Sequence, residues 1–249
     1  MPEHYSRIFL LSHMRAFTSL AGHILGSHPR IDGYFEMHIS YDDASALDRQ
    51  MEVLRQYENC KEGSRYLFDK LLHNDYRLNP TLFDPAELKI LVALQAPEKT
   101  IRSIVNLFHR KGTDELYSSP PNAANYYVER IQALAEFCDT TPRPYYYYDA
   151  ELFQEAPERL LARLTDWLGL DSPLTGFYRL FSQTGKAGKG DSSSFIYGRK
   201  IEKARVDHSH IKVPENILER AREVYRECRS AIIANAADFV VLPDDQGRS

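Results

Sequence analysis

Leu11-Ser12-His13-Met14-Arg15-Ala16-Phe17-Thr18-Ser19-Leu20-Ala21-Gly22-His23 joins two stretches of different character. Before it, Arg7-Ile8-Phe9-Leu10-Leu11 reads as a buried strand. After it, Thr18-Ser19-Leu20-Ala21-Gly22-His23-Ile24-Leu25 reads as a helix opening on hydroxyl residues. A helix N-terminus presents unpaired backbone N–H groups and the positive end of the dipole, so the junction suits a phosphate-type anion. Arg15 adds a fork of donors, and Thr18 and Ser19 add hydroxyls. The Gly-x-x-x-x-Gly-Lys-Ser/Thr spacing of an ATP-binding loop is missing, which argues against ATP hydrolysis.

The rest of the chain alternates strand-like and helical runs. Strands are predicted at Ser64 to Lys70, Leu88 to Leu94 and Tyr145 to Tyr148, the last a tyrosine run read as sheet packing. Helices are predicted over 42–57, 98–109, 121–138, 157–168 and 214–236. Strands separated by helices imply a mainly parallel sheet covered on both faces, with ligands at the carboxyl ends of its strands.

Further motifs follow in order. His28-Pro29-Arg30-Ile31 precedes Gly33-Tyr34-Phe35-Glu36, read as a short strand beside the first. Leu88 to Leu94 runs into Gln95-Ala96-Pro97, with Ser103 six residues beyond the proline. Tyr148-Asp149-Ala150-Glu151-Leu152 leads through Pro157, Leu160-Leu161 and Leu164 to Trp167-Leu168-Gly169-Leu170, and Gly188-Lys189-Gly190-Asp191-Ser192 lies near the C-terminus. In content and order, over roughly residues 7 to 201, these segments resemble the sulfotransferases that use 3′-phosphoadenosine 5′-phosphosulfate (PAPS). Their phosphosulfate loop is usually Pro-Arg-Ser-Gly-Thr-Thr-Leu. Arg15, Thr18, Ser19 and Leu20 fall in register with it, while Met14, Ala16 and Phe17 replace its proline, serine and glycine.

The resemblance implies a three-layer α/β fold of the P-loop-NTPase-like sulfotransferase type. It implies transfer of a sulfonyl group from PAPS to a hydroxyl or amine of a small-molecule or carrier-linked acceptor, leaving adenosine 3′,5′-bisphosphate, with no metal required. Arg15, Ala16, Phe17, Thr18 and Ser19 correspond to the 5′-phosphosulfate loop. Gln95 and Ser103 correspond to the 3′-phosphate motif Arg-Asp-Pro-x-x-x-x-x-Ser, in which glutamine has replaced the arginine. Arg102 is the candidate to compensate. Lys186, Lys189 and Gly190 belong to a glycine-rich basic segment, about 182–205, read as a lid over the 3′-phosphate.

Glu36 is the candidate general base, at the distance from the loop arginine where one branch of the family carries a glutamate. His38 is its rival, since other branches use histidine. Lys70, in Phe68-Asp69-Lys70, is placed to stabilise the sulfonyl or bridging oxygen. Tyr34, Phe35, Tyr41 and Tyr66 are read either as lining an apolar acceptor pocket or as packing the core. A nucleotide-binding protein without catalysis is the alternative reading, because Phe17 and Gln95 occupy recognition positions; a small-molecule kinase is a weaker third.

Composition is that of a folded domain. The chain has 249 residues, 43% hydrophobic and 27% charged, and one domain over 1–249 is expected. A formal net charge of −4 argues against a nucleic-acid binder. Cys60, Cys138 and Cys228 have neither disulfide-framework nor zinc spacing, which suits a reducing compartment. Asp207-His208-Ser209-His210 lacks the further ligands of a metal site and is read as solvent-exposed. With no long apolar run and no signal-like N-terminus, a cytoplasmic chain without a membrane span is expected.

Overall fold

A computed structural model of the chain describes residues 5–112, 116–186, 194–203 and 207–243. The elements run β1 (Ser6–Leu11), α1 (Thr18–Ser27), β2 (Ile31–Asp32), α2 (Ser45–Tyr57), β3 (Tyr66–Leu71), β4 (Leu88–Leu94) and α3 (Pro97–Lys111). They continue as α4 (Pro120–Thr140), β5 (Tyr145–Asp149), α5 (Leu152–Glu155), α6 (Pro157–Leu168), α7 (Glu215–Asn235) and β6 (Asp238–Val240). The six strands form one sheet in the order β2-β3-β1-β4-β5-β6, and every pairing is parallel.

The apolar runs form strands because each is buried on both faces. Along β1, Phe9 and Leu11 enter one core, while Ile8 and Leu10 enter the other. The tyrosine run does the same: Tyr145 and Tyr147 pack on the α3, α4 and α7 side, and Tyr146 and Tyr148 pack on the α1 and α6 side. Their reading as sheet packing is correct. The helices begin and end on ordinary signals. α3 and α6 carry proline in the first turn and stop at Gly112 and Gly169, both in the left-handed region with φ of 63° and 62°.

One strand expectation is corrected, and one strand was not foreseen. Gly33 to Glu36 is irregular; the strand there is the two-residue β2, which pairs with β3, so that β3 stands between it and β1. The C-terminal β6 went unread in the sequence, because a three-residue strand carries too short a pattern. Among the described residues no helix is long and apolar enough to cross a membrane.

The segment after β2 is set by two glycines. Gly33 has φ of 85°, and a Cβ there would lie 2.4 Å from the Phe68 carbonyl oxygen. A Cβ on Gly22, in α1, would lie 2.1 Å from the Tyr34 carbonyl oxygen. This close approach presses residues 33–36 against α1 and β3. Gly22→Ala is therefore expected to destabilise the fold by about 1–3 kcal/mol, the cost of overpacking, net of the gain in helix propensity. Urea unfolding with an unshifted midpoint would contradict this.

Candidate active site

The chain leaves β1 toward β2 and β3 on one side and later crosses to β4 on the other, so a crevice opens beyond the carboxyl ends of β1 and β4. The loop after β1 lies in it. Arg15 and Phe17 both adopt left-handed backbone, with φ of 69° and 54°. Phe17 thus holds a conformation that favours glycine, the residue the family motif carries there. Its ring reaches the far core and lies 6.4 Å from that of Phe153. α1 opens with no side-chain cap and no acidic residue in its first turn, which leaves its N-terminus suited to an anion.

Residues with no role in the motif brace this loop. His13 is fully buried; its Nδ1 is 2.9 Å from the Met14 carbonyl oxygen, and its Nε2 accepts from the Gln95 amide at 3.0 Å. Burial pushes its pKa down to about 4, so the ring is neutral and carries its proton on Nδ1. Tyr126 and Arg130, one turn apart on α4, complete the brace. The Met14 amide donates to the Tyr126 hydroxyl, which donates to the Leu72 carbonyl. Arg130 donates to the carbonyls of Ser12 and Leu71 at 2.9 and 2.7 Å. Both side chains lie on the buried face of α4.

Lys70, at the end of β3, is 1% exposed, and its Nζ is 3.5 Å from the Ser19 hydroxyl. It therefore lies against the first turn of α1. Before it, Asp69 accepts from the Tyr41 hydroxyl and from the Met37 and Lys70 amides. Burial outweighs these bonds and pushes the Asp69 carboxyl up to about 7. Through Met37, Asp69 fixes the chain next to Glu36.

Glu36 is 3% exposed, and its Oε1 has no hydrogen-bond partner among the described residues. Burial raises its pKa, while the charges of Lys70 and Arg130 act the other way. Two imidazoles flank the same oxygen: His38 Nε2 at 3.6 Å and His73 Nε2 at 3.9 Å. His38 takes left-handed backbone with φ of 58° and leans on Tyr76. His73 is pushed down to about 4, first by burial and then by Arg130. The sequence reading missed His73. It stands three residues after Lys70, where β3 has ended, and no period marks it.

Across the crevice Arg15 Nε donates to the Ser103 hydroxyl on α3 at 2.8 Å, which joins the two motif positions. Gln95 turns its backbone to structural use, donating to His13 and accepting from the Tyr127 hydroxyl, and its buried Oε1 has no partner. Arg102 likewise keeps a buried Nε without a partner among the described residues. Ala16 is buried, and Thr18 is buried at the start of α1. Lys186 is exposed, two residues beyond Thr184, whose hydroxyl is 2.9 Å from His23 Nε2 on α1. Lys189 and Gly190 lie outside the described residues, as do the rest of 187–193 and residues 204–205 of the lid expected over 182–205.

No family model matches the sequence, and a search of the curated proteins finds no relative. Solved structures do match. The sulfotransferase domain from the curacin biosynthetic pathway aligns with a TM-score of 0.55 at 15% identity, over 91% of this chain and 98% of that one. The sulfotransferase domain from the Synechococcus PCC 7002 olefin synthase aligns at 0.51 and 15% identity, over 90% and 97%. This is the sulfotransferase fold.

Within the sulfotransferase fold several sequence-singled residues are structural. Tyr34, Phe35, Tyr41 and Tyr66 are all buried in the core, so the packing alternative holds for them. Asp149 binds Arg229 through both oxygens, and Glu151 accepts from the Ala96 amide. The exposed reading of Asp207 to His210 is corrected at His208, which is half-buried with its Nδ1 enclosed. Among the described residues no group of His, Cys, Asp or Glu is gathered as a metal site.

Proposed function

We propose that this protein transfers a sulfonyl group from PAPS to a hydroxyl or amine of a small-molecule or carrier-linked acceptor. The observation that carries the reading is a buried lysine, Lys70, that meets the uncapped start of α1 at Ser19 and acts by its charge on a buried carboxylate with one unpartnered oxygen, Glu36. An anion site, a fixed positive charge and a base in a row are what in-line transfer of a charged group needs. The residues present suit the donor: Arg15, Thr18, Ser19 and the α1 amides would hold its 5′-phosphosulfate, and Ser103 with Arg102 would hold its 3′-phosphate.

When bound, the donor supplies a sulfonyl group whose S–O bond to the 5′-phosphate breaks as the acceptor oxygen bonds to sulfur. Glu36 takes the proton that the acceptor loses, and its raised pKa lets it hold that proton. Lys70 cancels charge that builds on the sulfonyl and bridging oxygens, in a pocket where burial strengthens the effect. His13, Tyr126 and Arg130 keep the loop in place, so Arg15 and the α1 amides need no rearrangement. The two solved structures named above are both sulfotransferase domains, which supports the reaction class.

Nucleotide binding tests the donor site. Adenosine 3′,5′-bisphosphate should raise the melting temperature more than adenosine 5′-monophosphate does, and ATP should add little. Arg15→Ala should weaken the bisphosphate by about 1.5–3 kcal/mol, as for a hydrogen bond to a charged group, and Ser103→Ala should narrow its lead over the monophosphate. Equal affinity for the two nucleotides in the wild type would remove the assignment. Labelled sulfate moving from PAPS to an acceptor in a cell extract distinguishes transfer from the second reading, a bisphosphate-binding protein without catalysis. That reading draws on Phe17, whose side chain occupies the glycine position of the loop.

A further inference from the structure

We infer that the turn Asp207 to Ile211 closes the 3′-phosphate side of the nucleotide site, with His208 as a pH-dependent contact that replaces the arginine absent at Gln95. The inference rests on the donor reading above and names residues beyond it. One contact brings the turn to that place, and three further observations describe how it is held. His210 Nε2 lies 3.3 Å from the Asn106 side-chain oxygen, one turn along α3 from Ser103. The Ile211 amide donates to the His208 carbonyl, and Ile211 is buried in the core, so the turn is anchored at its C-terminal end. Asp207 accepts from both the amide and the hydroxyl of Ser209, which directs its carboxylate into the turn. His208 Nδ1 is enclosed and has no hydrogen-bond partner among the described residues.

The surroundings of His208 favour an anion. Arg15, His210 and Arg110 all act on it as positive neighbours, and only Asp207 opposes them; together with burial they hold its pKa below the ordinary histidine value of 6.5. Arg15 is the residue that bonds Ser103. Arg102, adjoining Ser103 on α3, also has an enclosed nitrogen without a partner. The enclosed His208 nitrogen without a partner, with Arg15 and Arg110 as positive neighbours, makes a site in which burial disfavours the protonated imidazole until a negative ligand arrives. A 3′-phosphate is such a ligand. It would accept a bond from His208 and stabilise the imidazolium, so protonation and binding would favour each other.

The experiment measures affinity for adenosine 3′,5′-bisphosphate and for adenosine 5′-monophosphate by calorimetry from pH 8 to pH 6, in wild type and His208→Gln. The variant reports the change due to the phosphate's own ionisation. At pH 6 the wild type should bind the bisphosphate about tenfold or more better than the variant does. That advantage should shrink toward pH 8, while the monophosphate is bound alike by both proteins. A wild-type advantage that does not change with pH, or no difference in bisphosphate affinity at pH 6, would overturn the role of His208 and leave the donor site standing. Loss of affinity for both nucleotides in the variant would mean that His208 supports the fold of the site and does not contact the 3′-phosphate. Failure of the wild type to bind either nucleotide would overturn the inference together with the reading beneath it.

Discussion

Glu36→Gln should slow sulfonyl transfer by about 10²–10⁴-fold, the usual contribution of a positioned base, while nucleotide affinity stays at the wild-type level. The substitution keeps size and shape, and Oε1 makes no hydrogen bond that would be lost, the flanking imidazoles of His38 and His73 standing 3.6 and 3.9 Å away. The pH profile gives an independent readout. A base acts only when deprotonated, so wild-type transfer should fall as pH is lowered through the Glu36 pKa, at a midpoint above the ordinary 4.5 because the group is buried. In Glu36→Gln that acid limb should vanish. His38→Ala should be milder, since His38 is partly exposed and meets Glu36 only at 3.6 Å. Single-turnover transfer of labelled sulfate makes the comparison. Near-normal transfer by Glu36→Gln with a collapse in His38→Ala would move the base to the histidine.

The fold was legible where burial on both faces left a run of apolar residues. β1, β4 and β5 could be read from Ile8 to Leu11, Leu88 to Leu94 and the four tyrosines, and α6 lies where Pro157 and Gly169 mark its limits. Pairing was less legible, because strand order depends on contacts between distant segments. Glu36 shows this. Its motif suggested a strand beside β1, whereas Gly33 and Gly22 fold residues 33–36 into an irregular segment against α1 and β3. The carboxylate still comes within the field of Lys70, which lowers its pKa, by a route that no periodicity records.

The site was legible in its motif positions and obscure in its supports. Arg15 and Ser103, drawn from two separate motifs, are joined by a hydrogen bond that neither motif records, and Arg130, Tyr126, His13 and His73 carry no local signature. Each acts on a segment distant in sequence, so only the folded chain exposes its part. His208 was misread for a similar reason. A polar Asp-His-Ser-His run is usually solvated, and here Ile211 and the contact of His210 with Asn106 draw it onto α3.

Lys70→Met tests the electrostatic half of the mechanism. Methionine keeps most of the chain length and removes the charge from a side chain that is 1% exposed, so the fold should tolerate it; a buried charge costs free energy that an apolar group does not. Transfer should fall by about 10²–10³-fold, as when one preorganised donor is lost from a site where charge develops. A second effect separates this role from structural support. Lys70 lowers the Glu36 pKa, so without it the acid limb of the pH profile should move to higher pH. A lysine that only packed against Ser19 would leave that limb in place. Transfer within a few-fold of wild type, in a folded variant with an unmoved acid limb, would remove Lys70 from the chemistry. It would leave charge stabilisation to Arg15 and the first turn of α1.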